Sequence, residues 1–267
     1  MWLDVTCSIR MDCPQPTPMI LLLRPSSGAH QWVESESYVL APRVPATEYT
    51  DGFGNRCQRL VTTAGPFRID NHARVRVPAQ QDVCPGAPYV PVQELPDTVL
   101  LYLMPSRFCE SDRLGPLAQE VVQDARPGYD QVARISRWVY ERLQYLSGSD
   151  PAPVSADEVR KRGEGVCRDF AHLGMALCRS LNIPARMVVG YVQDLQPMDL
   201  HAWFEAWVGG RWYTFDPTQP DRNTARVTVA VGRDAADVPV FNQFGPPVTP
   251  SRMEVSVTAI DERGEGS

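Results

Sequence analysis

The hydrophobic period of this chain changes once, and that change limits the folds open to it. Over residues 129–145, Val132, Ile135, Val139 and Leu143 recur at intervals of three and four, with Trp138 beside the stripe. This spacing predicts a helix of about four to five turns with one apolar face. Before it, residues 1–105 read as extended. Met19-Ile-Leu-Leu-Leu-Arg24 is a short apolar run, and residues 37–41 and 74–78 alternate or carry β-branched side chains. Asp51-Gly-Phe-Gly-Asn55 is a turn signal between two such segments. Frequent Pro and Gly suit short strands joined by turns. Residues 1–105 are therefore expected to form a β-rich, sandwich-like domain that packs on a second domain, residues 106–267.

Composition removes several classes of function. A net charge of −6 and the lack of any basic run argue against nucleic acid as a partner. The N-terminal decapeptide carries an early acid and no long apolar core, so it does not read as a signal peptide. The apolar run over residues 18–23 is too short to span a bilayer. A cytoplasmic protein without membrane association is the expectation. The seven cysteines (Cys7, Cys13, Cys57, Cys84, Cys109, Cys167 and Cys178) are odd in number, scattered and without a Cys-x-x-Cys pair. They read as free thiols rather than a disulfide framework. With four dispersed histidines (His30, His72, His172 and His201), neither a metal nor another cofactor is expected.

Beyond residue 95 the elements can be placed in order. Residues 99–104 suggest a last strand or a short crossing segment, broken by Pro105 and Ser106, and a linker helix is expected over 116–123. Residues 147–153 read as a loop. Ser155-Ala-Asp-Glu158 has the form of a capping box and opens a short helix to about Lys161. A turn, Gly163-Glu-Gly165, then precedes a helix from 166 or 167 to 181, which Asn182-Ile-Pro184 ends. Strands are expected over 186–193, 201–208, 211–216, 224–231 and 251–260. Gly209-Gly210 forms the two-residue turn of a hairpin. Residues 261–267 read as a frayed end.

The glycine-rich turn delivers Cys167 to the start of a helix. A thiol is a useful nucleophile only as thiolate, and a helix N-terminus favours the anion through its dipole and free N–H groups. Cys178 lies about 16 Å further along the same helix, in its apolar stripe, and reads as core. His172 sits about 140° around the axis from Cys167, badly placed to bond its sulfur, and reads as a packed or surface-paired histidine. His201, at a strand start, can approach from another element. If Gly209 and Gly210 turn the hairpin, Val208 pairs with Arg211 and Trp203 with Asp216. His201 then lies diagonal to Asp216 on one face, within reach of an imidazole and a carboxylate. Asp216 can hold one ring nitrogen while the other faces Cys167. Trp203 and Trp207 share the His201 face; core packing is the more frequent use of such rings, and Trp203 is the candidate for a substrate-binding wall. Glu205 is either a salt-bridge partner or a pocket acid. Arg168 and Asp169 read as a surface or interhelix ion pair.

Four blocks, Gly165-Val-Cys-Arg-Asp-Phe-Ala-His-Leu173, Leu181-Asn-Ile-Pro-Ala-Arg186, His201-Ala-Trp-Phe-Glu205 and Trp212-Tyr-Thr-Phe-Asp-Pro-Thr218, occur in an order that resembles the transglutaminase-like superfamily, in its bacterial form. The resemblance also takes in residues 105–113 and 232–234. It implies an α+β fold: a papain-like core of helices packed on an antiparallel sheet, preceded by the β-sandwich-like domain. It implies Cys167 as nucleophile, His201 as general base and acid, and Asp216 as the orienting acid. It also implies a second oxyanion donor from an upstream side chain, for which Tyr145 is the candidate. The activity implied is a metal-independent attack on a peptide or protein amide through a thioester, by a cysteine peptidase or amidase. The alternatives are a cross-linking acyltransferase or a non-catalytic scaffold that retains the fold. A zinc-bound Cys/His site ranks behind them.

Overall fold

The computed structural model describes residues 1–146 and 152–260. Most of the loop expected over 147–153, and the end expected to fray over 261–267, lie outside the described residues.

The first part of the chain is built of β1 (Trp2–Cys13), β2 (Pro18–Leu21), β3 (Trp32–Ala41), β4 (Ala46–Thr50), β5 (Arg56–Val61) and β6 (Gly65–Arg76). Residues alternate strictly along β1 and β6, so Leu3, Val5, Ile9, Ile69, Ala73 and Val75 are buried while their neighbours face outward. That period-2 pattern turns one face of each strand into the core.

Residues 99–104 are not a strand. They coil into α1 (Asp97–Leu100) and a following 3-10 turn, Leu101–Leu103. Val99 and Tyr102, three apart, point inward, while Leu101 and Met104 stay exposed, so the short apolar run followed the helical period. Then come α2 (Gly115–Val122) and α3 (Tyr129–Arg142), the helix expected from the stripe. Val132, Ile135 and Val139 are fully buried along α3. A short β7 (Gln144–Tyr145) pairs in parallel with β8 (Glu164–Gly165), on either side of α4 (Ala156–Arg162). Ser155 is the N-cap of α4 but makes no side-chain cap bond, and Glu158 pairs with Arg162 instead, so the expected capping box does not form.

Next, α5 (Cys167–Ser180) crosses the second sheet, formed by β9 (Ala185–Val192), β10 (His201–Val208), β11 (Arg211–Phe215) and β12 (Arg226–Gly232) in the order β11-β10-β9-β12, all antiparallel. One face of this sheet packs on α5 through Phe204, Ala206 and Val208, and α5 in turn meets α2, α3 and α4.

The chain then returns to where it began. β13 (Phe241–Gln243) pairs with β2, and β14 (Pro250–Ile260) pairs with β1 over its length. The two N-terminal sheets are thus β14-β1-β6-β3 and β13-β2-β5-β4. A cut at 105/106 does not separate the strands as the sequence suggested, because the last strands complete the first sheets. The turn at Asp51–Asn55 adds a clasp. Asp51 accepts the Phe53 and Asn55 N–H groups, each at 2.8 Å, and Asn55 bonds both the carbonyl and the N–H of Val231 on β12, again at 2.8 Å.

Candidate active site

Cys167 is the first residue of α5, where the helix ladder offers its N–H no acceptor. The turn before it is shaped by Asp169, whose carboxylate accepts the Val166 N–H at 3.0 Å and so caps the helix. Asp169 is buried, so the ion pair it makes with Arg168, whose Nε lies 3.5 Å from its other oxygen, is not a surface one. Gly165 makes that cap possible: a Cβ there would stand 2.8 Å from the Asp169 Cβ. Tyr145 is paired with Gly165 across the β7–β8 ladder, and Leu146 N–H bonds the Gly165 carbonyl at 2.9 Å. This sets the Tyr145 phenol near enough to Cys167 for their charges to interact. Burial, followed by the negative charge of Cys167, Asp199 and Asp216, pushes the Tyr145 phenol up to about 12. It is therefore a neutral O–H donor beside the sulfur at any ordinary pH.

His201 opens β10 and is 2% exposed. Its Nε2 lies 2.8 Å from Oδ2 of Asp216 and 3.4 Å from the Thr218 hydroxyl. That occupancy leaves Nδ1 for Cys167, whose negative charge acts on the ring. Burial alone would make this imidazole a weaker base. The charges of Asp216 and Cys167 outweigh burial and lift it to about 10. The register that brings the pair together is that of the hairpin. Val208 pairs with Arg211 and Phe204 with Phe215 around Gly209 and Gly210, both at positive φ.

Asp216 follows β11 and is 5% exposed. Burial works against its charge, but His201 and Arg226 outweigh it and hold the carboxyl well below the usual carboxylate range. Oδ1 accepts the Thr218 N–H at 3.1 Å and the Thr218 hydroxyl at 2.7 Å. Oδ2 accepts from Gln219 Nε2 at 3.0 Å and Arg226 Nη1 at 2.9 Å, as well as from His201. Thr218 belongs to the Asp-Pro-Thr motif, whereas Gln219 and Arg226 are partners the sequence analysis missed. The one signal for Arg226 was a charged residue opening an otherwise apolar strand.

Trp203 does not serve as a substrate wall. It is 1% exposed, packed on Val188 and Val192, with Arg226 over its indole at 5.0 Å. It lies under His201, the two rings 6.4 Å apart and nearly parallel. Trp207 stands edge-on to Trp212, 5.4 Å away. Glu205 is a salt-bridge partner, 2.6 Å from Arg186, whose guanidinium covers Trp212.

His172 and Cys178 are fully buried away from the site. The His172 Nδ1 donates to the Val154 carbonyl and its Nε2 accepts the Ala235 N–H, each at 3.2 Å. Phe108 stacks on the ring at 5.2 Å. The Phe108 N–H bonds Asp234 Oδ2 at 2.8 Å, so segments 105–113 and 232–234 meet as the wall of this second pocket. All seven thiols are free, and of these Cys167 is partly accessible and Cys84 exposed. Among the described residues, no group of three or more His, Cys, Asp or Glu side chains is placed to hold a metal ion. No helix among them is long and apolar enough to cross a membrane.

Comparison with known proteins identifies the fold. Residues 115–217 match the model of the transglutaminase-like superfamily. The crystal structure of a "putative cysteine protease" from Cytophaga hutchinsonii superposes with a TM-score of 0.91 at 35% identity, covering 98% of this chain and 91% of that one. The chain belongs to the transglutaminase-like superfamily. An uncharacterized protein of Mycobacterium leprae is 33% identical over 135 residues, 47% of this chain and 48% of that protein. One from Mycobacterium tuberculosis is 33% identical over 129 residues, 43% of this chain and 41% of that protein. The chain spans about half or less of the length of the curated relatives it matches.

Proposed function

We propose that this protein is a thiol-dependent enzyme that cleaves amide bonds, with Cys167 as nucleophile, His201 as general base and acid, and Asp216 as the residue that orients His201. The observation that carries this reading is the position of the His201 ring. Its Nε2 is held by a buried carboxylate at 2.8 Å, which leaves its other nitrogen for the thiol at the N-terminus of α5, close enough for the charge of Cys167 to act on the ring. A raised imidazole beside a thiol favours the thiolate–imidazolium pair, the reactive form of a cysteine nucleophile.

In the proposed cycle the Cys167 thiolate adds to the amide carbonyl carbon. The Cys167 N–H and, as second donor, the Tyr145 hydroxyl receive the oxyanion that forms. His201 gives its proton to the leaving nitrogen, the C–N bond breaks, and a thioester remains. Water then attacks the thioester carbon while His201 takes its proton, releasing a carboxylate and restoring the pair. The similarity to the Cytophaga protein supports hydrolysis and a peptide or protein substrate.

The test is Cys167→Ala in a Cys84→Ser background, which removes the competing exposed thiol. Iodoacetamide at about pH 6–7 should label Cys167 ahead of the remaining thiols, because only a thiolate reacts. A peptide library incubated with and without an amine acceptor should give hydrolysis products that vanish with Cys167→Ala. Turnover that survives this substitution would overturn the proposal, and predominant amide exchange onto the amine would replace hydrolysis with acyl transfer.

A further inference from the structure

Arg226 is a charged residue in a place that needs a reason. It begins a strand whose other residues are Val, Thr, Val, Ala, Val and Gly, and it is 6% exposed. A guanidinium cannot shed its proton to escape burial, so the fold must hold an anion against it. That anion is Asp216, and the contact falls on the same oxygen that accepts from His201: Oδ2 is 2.9 Å from Arg226 Nη1 and 2.8 Å from His201 Nε2.

The route between them is built. β9 lies between β12 and β10, and at the crossing it carries Gly190, paired with His201 on one side and Thr228 on the other. A Cβ at residue 190 would stand 1.9 Å from the Val227 carbonyl oxygen and 3.1 Å from Trp203 Cη2. With no side chain in the way, the Trp203 indole lies across this gap and Arg226 lies on the indole, 5.0 Å from its centroid. Arg226 Nε bonds nothing among the described residues, so the indole face and Asp216 are what hold the guanidinium.

We propose that Arg226 is a positioning residue of this site: laid over Trp203 and bonded to Oδ2, it keeps Asp216 an anion whether His201 carries one proton or two. The proposal rests on the Cys167–His201–Asp216 reading above. Its logic is charge balance in a buried site. With Arg226 present, neutral His201 still leaves Asp216 neutralised. Without it, neutral His201 would abandon a buried carboxylate, and the imidazole would hold its proton to compensate. A base that must both take and give a proton in one cycle is served by the first arrangement. The other charged or titratable groups around His201 are Cys167 on α5 and Asp199 in the segment before β10, with Tyr145 on β7 beyond the sulfur. None of these is a cation, so no other group replaces Arg226.

The experiment follows the titration of the His201 imidazole by NMR, together with the pH profile of Cys167 alkylation, in the Cys84→Ser background. In Arg226→Gln, which removes the charge but keeps a planar amide over the indole, the His201 midpoint should rise by about one pH unit or more. Arg226→Lys, which keeps the charge without the planar stack, should stay within about 0.3 unit of the parent even where thermal stability falls. A purely structural role predicts lower stability in both variants with no movement of the midpoint, and that result overturns the proposal. So does an equal shift in Arg226→Lys and Arg226→Gln. If Arg226→Gln does not fold, Arg226→Met, which also removes the charge, takes its place: a raised midpoint supports the proposal and an unmoved one sinks it. Failure of the underlying triad shows separately, as alkylation of the parent that ignores His201 titration or does not require Cys167.

Discussion

Two imidazoles are buried in this protein, and the fold uses them in opposite ways. His172 and His201 are 0% and 2% exposed. Around His172 the ring partners are a backbone carbonyl, a backbone N–H and a phenyl face. Each nitrogen has one partner, of the kind that fits the neutral tautomer. Burial pushes this imidazole down to about 4, against the opposing pull of Asp234. Around His201 the partners are a carboxylate and a thiol, and the imidazole is raised to about 10. Equal burial therefore gives opposite protonation, because the chemistry of the partners decides the sign. A site for proton transfer needs the second arrangement, while a support beneath α5 is served by the first.

The largest effect that could break this contrast is on reactivity. His201→Ala should slow alkylation of Cys167, and any turnover, by about 10²- to 10⁴-fold, the range for loss of a positioned general base. His172→Ala should leave the rate per folded molecule unchanged. The measurement is the second-order rate with iodoacetamide near neutral pH, normalised to folded protein. If the two substitutions slow Cys167 alike, the division between a reactive and a supporting histidine fails.

Much of this contrast was legible before any coordinates. The hairpin glycines carried the register that places His201 by Asp216, and helical spacing kept both His172 and Cys178 out of the reactive set. What was not legible came from parts of the chain far apart in sequence. Asp216 meets Arg226 because β12 adds to the sheet on the far side of β9, and no local period reports that. Trp203 is a candidate for a substrate wall as well as for the core because strand alternation places it beside His201. Alternation does not reveal that Val188, Val192 and Arg226 close over it. The run at 99–104 was ambiguous for a different reason: a short apolar stretch fits either period, and here the helical one won. The return of β14 to β1 was hidden because a strand sequence does not name its partner.

The next effect is on stability. His172→Ala leaves the Ala235 N–H and the Val154 carbonyl without partners in a buried pocket and opens a cavity beside Phe108. The expected cost is about 2–4 kcal/mol in urea unfolding. Its pH dependence sharpens the point. The folded-state value of His172 lies below its unfolded value, so this group contributes fully above about pH 6.5 and its contribution is lost as pH falls toward 4. A shift of that size corresponds to about 3 kcal/mol between pH 7 and pH 4. His201 has the reverse sign: its contribution is full below about pH 6.5 and is lost as pH rises through 10. Stability measured across this range should fall at both ends. His172→Ala should flatten the acid side and leave the alkaline side, while some acid dependence persists through Asp234, which is also held below its ordinary value. An acid limb unchanged in His172→Ala would mean the ring is not held neutral.

The smallest effect tests whether the Phe108 stack belongs to the supporting pocket alone. The ring lies 5.2 Å from His172 at 17°, a near-parallel contact worth about 0.5–1.5 kcal/mol beyond its buried area. Phe108→Leu retains an apolar side chain and the backbone bond from residue 108 to Asp234, so it should lower stability by about 1 kcal/mol. In a His172→Ala background the same substitution should cost less, because the stack is already gone, and the difference is the coupling between the two rings. Alkylation of Cys167 should not change in either background. A slowing beyond about threefold, roughly 0.65 kcal/mol in the barrier, would show that strain in this pocket reaches Cys167 through α5. The two histidines would then be coupled parts of one device instead of separate solutions to burial.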